Sequence, residues 1–183
     1  MHANLYLILA MASSIWAGME NLPSGEYDAV ISPDGESIEL FLVGGSGAVD
    51  KSSPLVFHAV EQDDAKTAPT LEKRWSGGCH GPGLDTGSTD IVLAQLKAWA
   101  GRGTELCSYS STNAKYFTNG NIMAYYCVNE RGKCGNLDTV DVDYAMQQMD
   151  QWCGAYQGSW FNWAGSPEIV GKGAIGTSVC LGW

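Results

Sequence analysis

Lys115-Tyr116-Phe117-Thr118-Asn119-Gly120-Asn121-Ile122-Met123-Ala124-Tyr125-Tyr126-Cys127-Val128 holds the turn from which the fold is read. Aromatic and β-branched residues flank Asn119-Gly120, and both residues of that dipeptide tolerate the positive φ that a two-residue hairpin turn demands. The stretch predicts two antiparallel strands, 115–118 and 121–128. Upstream, Ser88 or Thr89 can cap a helix whose apolar residues Ile91, Val92, Leu96 and Trp99 recur at helical spacing, with Gly101 or Gly103 stopping it. Downstream, after the polar turn 129–133, Asp138 or Thr139 opens a second helix with Val142, Ala145, Met149, Trp152 and Cys153 on one face and Gly154 at its end. The glycine-rich tail from Ser159 to Cys180 reads as one or two strands. Helix, hairpin, helix and strand in this order predict a small α+β sandwich, an antiparallel sheet with both helices packed on one face.

The six cysteines, Cys79, Cys107, Cys127, Cys134, Cys153 and Cys180, all follow the dibasic pair Lys73-Arg74, and none precedes it. An even count in a short secreted domain predicts three disulfides, with 15 pairings open. Cys127 in a strand, Cys153 at a helix end and Cys180 in the last strand are placed to tie helix to sheet. The cysteines are separated by 27, 19, 6, 18 and 26 residues, without a Cys-x-x-Cys or a close Cys/His pair, so no metal site is expected.

Leu71-Glu72-Lys73-Arg74 is a sequence a kexin-type protease would cut. At the N-terminus, residues 5–12 form an uncharged apolar run, too short to span a bilayer, and small residues follow near Ala17, as in a signal peptide. The chain then divides into a signal peptide, 1–17, an acidic cysteine-free pro-segment, 18–74, and a mature disulfide-rich domain, 75–183. A secreted, extracellular protein without a transmembrane segment is expected. The pro-segment carries 11 Asp/Glu against 4 Lys/Arg and the mature part 9 against 6, so neither suits a nucleic-acid backbone. Within the pro-segment, 27–31 and 37–43 flank Ser32-Pro33-Asp34-Gly35, a turn sequence, and predict a β-hairpin. That hairpin is either part of a solubilising spacer or a piece that docks on the immature domain, assisting its folding or masking a surface.

His80 is the one histidine of residues 75–183 and sits in Gly77-Gly78-Cys79-His80-Gly81-Pro82-Gly83, which reads as a surface loop. It has no second histidine or free thiol to form a nucleophilic pair. Asp138, Asp141 and Asp143 lack the glycine and distal Glu of a calcium loop and read as helix caps and dipole partners. Asp90, Glu105, Asp150 and Glu168 could supply a carboxylate pair for glycoside hydrolysis, but no motif places two of them across a sugar. The expectation is a protein with no catalytic residues and no cofactor.

Six tryptophans, Trp75, Trp99, Trp152, Trp160, Trp163 and Trp183, fall within 75–183. Trp99 and Trp152 lie on apolar helix faces and read as core. Trp160-Phe161-Asn162-Trp163 alternates around a polar residue, and Trp160, Asn162 and Trp163 are the candidate binding residues for a sugar ring or a protein partner, against filling of a small core. No Asn-x-Ser/Thr sequon occurs, so N-glycosylation is not expected.

The order of signal peptide, acidic pro-segment, Leu-Glu-Lys-Arg site and six-cysteine domain resembles the small secreted cysteine-rich effectors of filamentous fungi, of the killer-toxin-like and necrosis-inducing types. The residues that carry the resemblance are Asn119-Gly120-Asn121-Ile122-Met123-Ala124-Tyr125, Gln151-Trp152-Cys153-Gly154 and Gly171-Lys172-Gly173-Ala174-Ile175-Gly176-Thr177-Ser178-Val179-Cys180. The resemblance implies secretion, no cofactor, and action on a surface protein or glycan of a host or competitor cell. The expected function is a non-enzymatic effector-like or toxin-like protein; the alternative is an extracellular glycan-binding, lectin-like module using exposed tryptophans.

Overall fold

The computed structural model describes residues 13–16, 19, 22–32, 36–43, 54–62, 75–109, 111–177 and 179–180. The apolar run 5–12 and the dibasic pair Lys73-Arg74 lie outside them. In chain order the elements are β1 (Ser13–Trp16), β2 (Gly25–Ile31), β3 (Ser37–Leu42), β4 (Leu55–Gln62), β5 (Trp75–Gly83), α1 (Thr86–Ala100), β6 (Thr104–Ser108), β7 (Thr112–Asn119), β8 (Ile122–Val128), β9 (Lys133–Leu137), α2 (Thr139–Cys153), β10 (Gln157–Trp163) and β11 (Glu168–Ala174). Nine strands form one antiparallel sheet in the order β1-β4-β3-β2-β7-β8-β11-β10-β5, and β6 and β9 form a separate two-stranded ribbon.

The central hairpin forms, with β7 and β8 in register from Asn113↔Val128 to Asn119↔Ile122. Gly120 and Asn121 are its turn, and of the two only Gly120 has positive φ (55°), the requirement of a turn that takes glycine at its first central position. Every residue of β8 is buried, because both faces of the sheet are covered there. Phe117, Ala124, Tyr126, Val128, Phe161 and Val170 face both helices and meet Val92 and Leu96 of α1 and Val142, Ala145 and Met149 of α2. Both helices thus pack on one face, as predicted. On the other face Tyr116, Met123, Tyr125 and Cys127 join Tyr27, Ala29, Ile31, Ile38 and Leu40 in a second core.

Among the described residues sheet outweighs helix, 52% against 24%, which corrects the picture of a small two-helix sandwich. One reason is that the sheet does not stop at residue 75. The predicted hairpin of the N-terminal segment forms as β2 and β3, and β2 adds to the edge of β7 over seven positions, from Gly25↔Thr118 to Ile31↔Thr112. The hairpin therefore pairs with residues 75–183 through β7.

The other reason is β5. Its glycines give it poor strand propensity, and it was expected as a loop. Packing makes them necessary: a Cβ at Gly77 would run into the Trp152 ring of α2, and one at Gly78 would lie 2.8 Å from Trp160 Nε1 on the opposite face. A strand squeezed between two indoles must be smooth on both sides.

Asp85 caps α1, accepting from Ser88 N–H at 2.8 Å, so the helix starts at Thr86, ahead of the predicted Ser88 or Thr89 cap. That bond holds the Asp85 carboxyl below its usual range. Thr89 is instead buried, its hydroxyl donating to the Asp85 carbonyl at 2.7 Å. Asp138 caps α2 as read, accepting from Asp141 N–H at 2.8 Å, and Gly101 and Gly154 end the two helices.

The three disulfides are Cys79–Cys153, Cys107–Cys134 and Cys127–Cys180. The first ties β5 to the end of α2, the second links the ribbon strands, and the third holds the segment after β11 to the centre of the sheet. Loops of 74 and 53 residues are closed by the first and third, 27 by the second. We expect replacement of Cys127 and Cys180 by alanine to lower stability more than the same change at Cys107 and Cys134, by about 0.5 kcal/mol from loop length alone and more because Cys127 is buried. Urea midpoints of the two double variants measure the difference.

Candidate functional site

Of the carboxylates weighed for chemistry, Asp90, Asp150 and Glu168 each have a structural partner, and Asp90 and Asp150 both act on Tyr156, raising its hydroxyl above its usual pKa. Asp90 accepts from the Tyr156 hydroxyl at 3.3 Å, Asp150 pairs with Lys172, and Glu168 accepts from the Tyr126 hydroxyl, from Asn136 N–H (2.8 Å) and from the Ser166 hydroxyl (2.6 Å). Burial and the hydrogen bond to Glu168 push the Tyr126 hydroxyl far above its usual pKa. Glu105 lies beside Cys107 and Cys134, but those sulfurs are bonded to one another and are not free to ligate. Asp143 pairs with Lys97, joining α2 to α1. Asp141 has its carboxyl raised, first by burial and then by Asp138.

His80 is not in a surface loop. It lies in β5 with its imidazole over Gly173 and its backbone carbonyl against Gly158, where a Cβ on either glycine would collide with it. Neither ring nitrogen has a hydrogen-bond partner among the described residues, and burial holds the imidazole below its usual pKa. The unfolded chain, with a histidine near pH 6.5, takes up a proton that the folded one refuses. Stability supplied by neutral His80 is therefore complete above about pH 6.5 and declines as pH falls below it. We expect the urea midpoint to fall between about pH 7.5 and pH 5.5, and the His80→Gln variant to show a shallower fall.

Trp160, Asn162 and Trp163 do not form one platform. Trp160 packs against the far core and Trp163 against the helix-side core, its ring edge-on to Phe161 with centroids 4.8 Å apart. Alternation along β10 sends them to opposite faces, so a single sugar ring cannot lie on both. Asn162 is committed to structure: its amide donates to the carbonyls of Ser166 (2.9 Å) and Glu168 (2.8 Å), and its oxygen accepts from the Ser76 hydroxyl (3.1 Å).

A cluster of charge lies at the junction of β2 and β7. Lys115 has a side chain only 6% exposed, and its ammonium meets Glu26 Oε1 and Asp28 Oδ1, both at 2.6 Å, with the Trp99 ring of α1 6.0 Å away. Asp28 is directly opposite Lys115 in the ladder, and Glu26 is one pleat along on the same face. A cavity of about 330 Å³ opens beside them, lined by Glu26, Gln95, Ala98, Trp99 and Phe117. At the end of the junction the Thr118 hydroxyl donates to the Pro23 carbonyl (3.0 Å) and accepts from Gly25 N–H (2.9 Å), while Gly120 N–H donates to the Ser24 hydroxyl (3.1 Å). Sequence reading missed this cluster. The signal was present as Glu26-Tyr27-Asp28, acids alternating with an apolar residue, but the lysine that answers them is 87 residues away.

Among the described residues no helix is long and apolar enough to cross a membrane. The chain matches no protein-family model, no characterised protein and no solved structure.

Proposed function

We propose that this is a secreted effector-like or toxin-like protein that acts without catalysis on host or competitor cells, matured by a kexin-type cut at Lys73-Arg74. The observation that carries the reading is the distribution of covalent ties: all three disulfides lie within residues 75–183, and the acidic segment before the dibasic pair enters the sheet without one. Disulfides concentrated in this way suit a domain that works in an oxidising, extracellular environment. The non-enzymatic part of the reading is supported by the structural partners that occupy Asp90, Asp150 and Glu168: the Tyr156 hydroxyl, the Lys172 ammonium and the Tyr126 hydroxyl.

Purified protein cut at Lys73-Arg74 and applied to host tissue and to competitor cultures is expected to provoke cell death or growth arrest. Reduction and alkylation are expected to abolish the response. Silence in both assays from protein with three intact disulfides rejects the reading.

A further inference from the structure

We propose that residues 75–183 carry a peptide-binding site whose ligand is the chain's own N-terminal segment, so that a cut at Lys73-Arg74 yields a two-chain protein and not a free domain. The site is the edge of β7 together with the apolar face beside it. Its ligand is an extended strand with acidic side chains at alternate positions on one face and apolar ones on the other, met here by Glu26-Tyr27-Asp28-Ala29-Val30-Ile31.

Three independent sets of contacts hold that strand. The first is the seven-position ladder between β2 and β7, extended by the bonds of Thr118 and Gly120 to Pro23, Ser24 and Gly25. The second is apolar: Tyr27, Ala29 and Ile31 of β2 and Ile38 and Leu40 of β3 are each no more than 2% exposed, and they share one core with Ala114, Tyr116, Met123 and Tyr125. The third is ionic, the two carboxylates on Lys115, which supply recognition as well as adhesion because only an acid at the Asp28 position stands opposite the lysine.

Loss of the segment would leave β7 as a bare edge with its amides and carbonyls unpaired, and would uncover Tyr116 and Tyr125, whose hydroxyls burial now holds far above their usual pKa. An exposed, apolar edge strand pairs with whatever strand is nearest, and the tethered segment is the nearest. No disulfide reaches residues 1–74, so retention must be non-covalent, which makes it simple to detect.

The test uses the full chain, cut in solution by kexin, or by a site-specific protease at a sequence inserted after Arg74 if kexin is slow. The inference rests on the precursor reading only for the position of the cut, and the engineered cut separates its failure from any failure of the bioassays. A denaturing gel without reductant should show two fragments, while native size exclusion with mass detection shows one species of unchanged mass. Elution of 75–183 without the segment, whether folded or aggregated, overturns the proposal. For recognition, the Glu26→Gln, Asp28→Asn double variant should lose its segment about tenfold faster on dilution than the unaltered protein. Should the double variant not fold, Asp28→Asn alone gives the same reading. Equal rates overturn the role of Lys115.

Discussion

Replacing Asp150 by alanine is expected to lower the stability of the protein by about 3 kcal/mol, although Asp150 itself is 41% exposed. The reason is its partner. Lys172 lies in the middle of β11 with a side chain 2% exposed, under α2, where its ammonium meets Asp150 Oδ1. Without the carboxylate that charge is left in an apolar layer beside α2 and must either be neutralised or drag water in. Removing the lysine is a different experiment. Lys172→Met fills the same volume with an apolar chain and returns Asp150 to water, so its stability should stay within about 1 kcal/mol of the parent or exceed it. Urea unfolding of Asp150→Ala, Lys172→Met and the double variant tests this directly. An Asp150→Ala loss below about 1 kcal/mol would show that the lysine finds water without help.

Phe161→Ala should cost about 3–5 kcal/mol, enough to lower the thermal midpoint by about 10 °C. Phe161 is fully buried in β10 and meets three aromatic rings: Trp152 of α2 stacks on it at 6.0 Å, Tyr144 of α2 meets it edge-on at 5.7 Å, and Trp163 of its own strand meets it edge-on at 4.8 Å. Removing the ring leaves a cavity between helix and sheet that the Cys79–Cys153 disulfide prevents from collapsing, because α2 is pinned to β5 at its C-terminal end. Phe161→Leu, which keeps most of the volume, should cost about 1–2 kcal/mol. Scanning calorimetry on the two variants measures the midpoints; a Phe161→Ala midpoint within about 2 °C of the parent would mean that the indoles close the gap themselves.

Local chemistry was legible in the sequence wherever it did not depend on a distant partner. The hairpin was legible at Asn119-Gly120 because turn geometry is a property of adjacent residues, although the turn itself falls one residue later, on Gly120-Asn121, and Asp138, Gly101 and Gly154 announced helix ends because caps satisfy groups within one turn. The paired faces Val92/Leu96 and Val142/Ala145/Met149 told both helices to bury one side, and did so against one core. The second helix's capping aspartate and the N-terminal hairpin of 27–43 were equally local.

What the residues could not reveal alone was decided by pairing across long separations. β5 is a strand because β10 and two indoles require a smooth partner there, and the His80 ring nitrogens are shielded because Gly158 and Gly173 leave room for the ring. Trp160 and Trp163 are three residues apart in sequence but on opposite faces, a consequence of the strand's period that appears only once the strand is known. The sequence by itself determined the clustering of the cysteines after Lys73-Arg74, both ends of the second helix and the end of the first, the central hairpin and the acidic character of the segment before the dibasic pair. Only the tertiary structure decided that this segment is a strand of the same sheet, because a buried Lys115 needs two carboxylates and an open β7 edge needs a neighbour, and both are met by residues that lie before Lys73-Arg74.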